Sequence, residues 1–262
     1  MDFMNDWGLL NSLINIINEG SDGDTDVILS KFFLQNYNRI HELNVFDIAE
    51  ECYVNRATVR RLAQRLGYPN FKNLKEQFNN FHDKYNFYRF GIQTDIQGQS
   101  VATQLYNMAS ECDRHLTPEF LDHAVTKIYK SNQIIFLTSD VYSNQCSEFQ
   151  KAMILSGKIV RIVSNKFKNN LVLKNMCQDD LLIVLSVAGF FASVSFDLIS
   201  SINACKVLIT TIHEPVYEKC YNEIWYLSSS DQPQRRSVYT IFGLEYYLEN
   251  IYAAYIKKYG KQ

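Results

Sequence analysis

Up to about residue 80 the apolar positions recur with helical spacing: GLLNSLINII, then TDVILSKFFLQNY after the turn-rich EGSDGD, then FDIAEECYVNRATVRRLAQRL, and finally FKNLKEQFNNF. No strand-like alternation interrupts them. From Asn86 to Ser100 the stretch NFYRFGIQTDIQGQS loses periodicity and gathers Gly91, Gly98 and polar residues, which predicts a linker. A helix over VATQLYNMASECDRHL follows. Beyond Thr117 short runs rich in Ile, Val and Leu (QIIFLT, KIVRIVS, DDLLIVLSV, CKVLITTI and EIWYLS) are separated by helix-length segments. Five such strands predict a parallel sheet covered on both faces. The expected architecture is α plus α/β. A helical domain occupies residues 1–84, a linker and connecting helix 85–116, and a five-stranded parallel αβα sandwich 117–262. The last helix, from about Ser237 to Lys258, carries more aromatic and aliphatic residues than one sheet face needs. Burial on the sheet and a dimer contact both account for it.

Within the helical part, residues 46–66 take a shape of their own. With Asn55 as N-cap, a helix runs from Arg56 to Leu66, because the Asn side-chain oxygen accepts from a free first-turn N–H. Val59, Leu62, Ala63 and Leu66 then form one apolar stripe. The opposite face centres on Ala57, Arg61 and Gln64, flanked by Arg60 on one side and by Thr58 and Arg65 on the other. The preceding helix, from about Phe46 to Cys52, has small Ala49 where two helices approach, and the connection CYVN is short. Two short helices, a tight turn and a projecting Arg/Gln/Thr face match a helix-turn-helix, whose second helix enters the DNA major groove. Arg reads guanine edges and Gln adenine edges, while Thr58 and the helix N-terminus suit backbone phosphate.

Charge supports a local reading. The net charge is only −2, so a polyanion-binding surface has to be confined to one region. Positions 1–54 hold ten acidic and two basic residues, and positions 55–89 hold eight basic and two acidic. Such a reversal predicts one small domain with a face that repels phosphate and a face that attracts it. The six cysteines form no CxxC pair and the five histidines show no ligand spacing, so no metal or cofactor is expected. Most of the cysteines are expected to be reduced core residues. Asp2 and Asp6 stand where a signal peptide would carry basic residues, and no apolar run is long enough to span a bilayer. A cytoplasmic location without a membrane partner is expected.

The stretch VNRATVRRLAQRLGYPNFKNLK resembles the N-terminal domain of the RpiR/MurR family of transcriptional regulators, whose pattern runs V-S-x-x-T-V-x-R-x-x-x-x-L-G-(aromatic)-x-x-F-x-x-L-K. Val54, Thr58, Val59, Arg61, Leu66, Gly67, Tyr68, Phe71, Leu74 and Lys75 occupy the matching places, and Asn55 replaces the serine cap. Gly67 suits a C′ position and Pro69 stops the helix. The resemblance implies a regulator of carbohydrate genes that binds double-stranded operator DNA as a homodimer or higher homo-oligomer and responds to a phosphosugar-like metabolite. DNA contacts are expected from Asn55, Arg56, Ala57, Thr58, Arg60, Arg61, Gln64 and Arg65, with Lys72 and Lys75 reaching phosphate.

The family also carries a C-terminal phosphosugar-binding SIS domain, which residues 117–260 resemble in length and strand rhythm. Its usual G-x-G-x-S after the first strand stands here as Ser139-Asp140-Val141-Tyr142-Ser143, without either glycine. Its phosphate loop S-x-S-G-x-T stands as Ser186-Val187-Ala188-Gly189-Phe190-Phe191, with two hydroxyls lost and Asp140 adding negative charge at the other loop. Two readings stay open. Ser139, Ser143, Ser186 and Gly189 hold a less charged effector, or the pocket is vestigial and the domain serves dimerisation. A sugar-phosphate isomerase and a protein-interaction scaffold are the rival functions, and the degraded loops weigh against the enzyme.

Overall fold

The computed structural model describes residues 8–78, 81–89, 98–164 and 171–260. The chain divides into two compact units, Met1–Arg89 and Phe90–Gln262. Most of the expected linker, residues 90–97, lies outside the described residues.

The first unit is helical. α1 (Gly8–Glu19) and α2 (Thr25–Gln35) are followed by two short helices, α3 (Val45–Glu51) and α4 (Arg56–Arg65), and then by α5 (Phe71–Lys75) and α6 (Phe81–Arg89). Leu13, Leu29, Phe33, Ile48, Val59, Leu62 and Leu74 share one core. Fully burying a side chain of this size stabilises by about 1.5–3 kcal/mol, so one stripe per helix is enough to fix these short elements. The expected single helix over FKNLKEQFNNF is instead α5 with a 3₁₀ turn at Glu76–Phe78, and Asn86–Arg89, expected as linker, belong to α6. Lys84 lies within α6. It is buried, with its ammonium 5.3 Å above the Tyr37 ring, which anchors α6 to the core.

α3 and α4 end in the same way. After α4, Gly67 is left-handed (φ 87°), and the amides of Gly67 and Tyr68 bond the carbonyls of Gln64 and Ala63. After α3, the amides of Tyr53 and Val54 bond the carbonyls of Glu50 and Ala49. Both are Schellman caps, which favour glycine at the left-handed position. In the α3–α4 turn a tyrosine takes that position, with φ 53° and its side chain 97% exposed.

The second unit opens with α7 (Val101–His115), expected as a connector; Met108 and Cys112 lie in this unit's core. α8 (Pro118–Lys130) follows, capped by the Thr117 hydroxyl with Pro118 in its first turn. The chain then alternates: β1 (Ile134–Thr138), α9 (Ser143–Leu155), β2 (Val160–Val163), α10 (Leu171–Lys174), β3 (Leu181–Leu185), α11 (Phe190–Val194), α12 (Phe196–Ser200), β4 (Cys205–Thr210), β5 (Glu223–Tyr226) and α13 (Leu244–Tyr259). All four strand pairings are parallel, in the order β2-β1-β3-β4-β5. Ile134, Phe136, Ile183, Ile209 and Trp225 face a core shared with α7, α8, α9 and α13, while Ile135, Leu137, Leu182, Val184 and Leu208 are buried too. This is the two-faced sheet that continuous apolar strands predict. The aromatic stripe of the last helix goes into this core through Leu244, Tyr247, Leu248, Ile251 and Tyr255, behind a π-helical turn at Tyr239–Gly243.

Candidate functional site

Among the described residues, the chemistry expected from the sequence falls on the outer face of α4 and at the carboxyl ends of the strands around β1 and β3. In α4 the sequence fixes the helix start. Asn55 Oδ1 accepts from the Thr58 amide at 2.9 Å, as expected of an N-cap. Val59, Leu62 and Ala63 are fully buried beneath, and Asn55, Arg56, Ala57, Arg60, Arg61, Gln64 and Arg65 are exposed above. A rigid aliphatic underside therefore carries four guanidiniums and an amide outward.

Thr58 departs from expectation. It is only 9% exposed, its hydroxyl donates to Asn55 Oδ1 at 2.9 Å, and it accepts from Arg61 Nη2 at 3.1 Å. Capping turns the third helical residue back under the cap, so Thr58 steadies Arg61 and faces no solvent phosphate. Arg65 bonds the Asp26 carboxylate of α2, a partner 39 positions away that no sequence spacing announces. Lys75 is half-buried and donates to the Leu43 carbonyl at 2.8 Å, fastening the approach to α3. Lys72 is exposed.

These placements give α4 unlike flanks. One groove sets Glu19, Asp24 and Asp26 opposite Arg61 and Arg65. The other is lined by Arg60, Gln64, Asn70, Lys72 and Lys75. A polyanion approaching α4 is repelled on the α1–α2 side and attracted on the α5 side. The acidic and basic halves of the sequence are thus two walls around one helix.

In the sheet, the strand order reverses between β1 and β3, where ligands of doubly wound sheets settle beyond the strand ends. Here the hydroxyls at those ends turn inward. Thr138 Oγ1 donates to the Leu185 carbonyl across the switch point at 3.3 Å, and Thr211 Oγ1 donates to the Val187 carbonyl at 2.7 Å. Ser186 is buried, and its Oγ accepts from the Ala192 amide at 3.0 Å. Ser139 and Ser143 are half-buried, the Ser139 carbonyl receiving the Tyr142 amide at 3.1 Å.

Gly189 sits at φ 78°, and a Cβ there would meet Ile212 Cγ1 at 2.8 Å and Tyr217 Oη at 3.1 Å. The fully buried Tyr217 donates to the Gly189 carbonyl at 3.3 Å and pairs with Ser193 Oγ at 3.2 Å. Sequence reasoning missed Tyr217, and no local pattern signals it. The loop expected to hold an effector is thus tied by its own chain.

Two further groups lie nearby. Glu111 of α7 accepts from Ser228 Oγ (3.1 Å), the Ser229 amide (2.7 Å) and the Tyr239 hydroxyl. Burial pushes its pKa up, but those donors together bring it below the ordinary value, so a carboxylate is kept under the loop after β5. His213 stacks on Tyr226 with centroids 4.2 Å apart, and its Nδ1 bonds Asp231 Oδ1 at 2.9 Å. Burial pushes the thiols of Cys112 and Cys146 up to about 12, which leaves them neutral.

No family model matches the chain, and no curated protein matches it. Among solved structures, the Vibrio vulnificus NanR protein complexed with ManNAc-6P aligns over 96% of this chain and 92% of that chain, at 17% identity and a TM-score of 0.46. The sugar isomerase domain of an RpiR transcription factor from Sphaerobacter thermophilus aligns over 60% and 90%, at 13% and 0.44. A Methanococcus jannaschii protein whose structure was used to infer 3-hexulose-6-phosphate isomerase function aligns over 60% and 89%, at 17% and 0.48. All three scores fall below 0.5, and the functional reading rests on the geometry of the chain itself.

Proposed function

We propose that the chain is a DNA-binding transcriptional regulator of the RpiR type. Its first unit is a helix-turn-helix domain with α4 as the recognition helix, and its second a SIS-like unit for dimerisation and effector response. The observation that carries this reading is the outer face of α4: Arg56, Arg60, Arg61 and Gln64 exposed above fully buried Val59, Leu62 and Ala63. Arg61, held by Thr58 through one of its N–H donors, keeps the rest for a guanine edge. Arg60 and Lys72 in the basic groove suit phosphate. Asn55 keeps its capping role, and Arg65 and Lys75 brace the domain.

For the second unit, the inward hydroxyls and the Tyr217 tie favour dimerisation over a phosphosugar cradle. Ser139 and Ser143 stay as the candidate contacts for a less charged effector. One observation favours a second reading, sugar-phosphate isomerisation: the Asp231-oriented His213 at the carboxyl end of the sheet, a base–orienter pair. Turnover of a hexulose phosphate that His213→Gln abolishes would establish it.

Fluorescence anisotropy with duplex fragments tests the regulator. Each neutralised phosphate adds about 0.9 to the slope of log affinity against log salt, so several contacts give a steep fall. Arg61→Ala narrows the gap between operator and random duplex by about 1–3 kcal/mol. Binding that ignores salt would reject the proposal.

A further inference from the structure

Phe46 has no place in the recognition face as the sequence predicts it, yet it is a large aromatic residue 59% exposed at the start of α3. Its backbone is pinned by a capping box. Asn44 Oδ1 accepts from the Phe46 amide at 2.7 Å and the Asp47 amide at 3.2 Å, while Asp47 Oδ2 accepts from the Asn44 amide at 2.8 Å. Arg56 opens α4 directly after the Asn55 cap. Its guanidinium carbon lies 4.4 Å from the centroid of the Phe46 ring. Two capped helix starts thus hold a guanidinium over an aromatic ring across the α3–α4 turn.

A free arginine on a surface loses rotamer freedom when it binds. Stacked on a ring it loses less, because the planar fork is already oriented, and the N–H donors at its edge stay available. A guanidinium held over a ring at the first turn of a recognition helix is placed to grip a phosphate as the helix enters the groove. Resting on the DNA-binding reading given above, we infer that Phe46 is a positioning residue that pre-orients Arg56 for a backbone phosphate of duplex DNA.

The test is a double-mutant cycle on the full chain, read by anisotropy with a mixed-sequence duplex across a salt series. Arg56→Ala weakens binding and lowers the salt slope by about 0.9, the share of one phosphate contact. Phe46→Leu weakens binding about two- to fivefold, the scale of an exposed cation–π contact, and leaves the slope nearly unchanged because the charge is still present. Phe46→Tyr keeps wild-type affinity. In the Arg56→Ala background Phe46→Leu has no further effect. Thermal melts of Phe46→Leu at the wild-type midpoint exclude misfolding.

A Phe46→Leu loss of equal size with and without Arg56 overturns the inference, as does no loss at all while Arg61→Ala still impairs binding. In both cases the regulator reading stands. A wild-type chain without salt-dependent duplex binding removes both.

Discussion

The two units handle polar side chains in opposite ways. On α4, Arg56, Arg60, Arg61 and Gln64 project from a buried aliphatic underside, and the one hydroxyl among them, Thr58, steadies Arg61. At the strand ends, Thr138, Ser186 and Thr211 are buried and bonded to main-chain groups of neighbouring segments. Polar groups held outward cost little stability and are available to a partner. Polar groups turned inward stabilise their own loops and are withheld from one. The difference teaches that a serine at the carboxyl end of a strand can serve its own loop and be withheld from a ligand.

The strongest way to break this comparison is Gly189→Ala. A left-handed backbone costs a non-glycine residue about 1–2 kcal/mol, and the new Cβ also presses on Ile212 and Tyr217, so urea denaturation should show a loss of about 2–4 kcal/mol. A neutral result would mean the loop is slack and open to a ligand.

Next in size is Ser186→Ala, which leaves the buried Ala192 amide without its acceptor and should cost about 1–3 kcal/mol. Arg61→Ala, by contrast, should stay within about 0.5 kcal/mol in the same assay. If the two stability effects came out alike, the contrast between the units would collapse.

A smaller, stabilising change sharpens the picture of the α3–α4 turn. Tyr53→Gly should stabilise by about 0.5–1 kcal/mol, since relief of the left-handed penalty exceeds the added chain entropy of glycine. The fully exposed ring gives up almost no packing, so a small rise in melting temperature is the expected readout.

Much of this was legible in the residues. The period of the apolar positions predicted the helices up to about residue 80 and all five strands, because burial of one stripe or of a whole strand dictates that spacing, while α6 runs into a stretch that the same pattern marked as linker. Asn55 and Gly67 marked the two ends of α4, since capping is local chemistry. What stayed hidden depended on partners distant in the chain. Asp26 takes Arg65 from α2, Glu111 reaches the loop after β5 from α7, and Tyr217 closes the Gly189 loop. Even Phe46 under Arg56 required the actual turn between two helices. The amino acids by themselves decided which elements form and which faces are apolar. Only the packed structure decided whether a given hydroxyl or guanidinium points to solvent or into its own chain, because that choice is made by whichever group the fold brings within hydrogen-bonding distance.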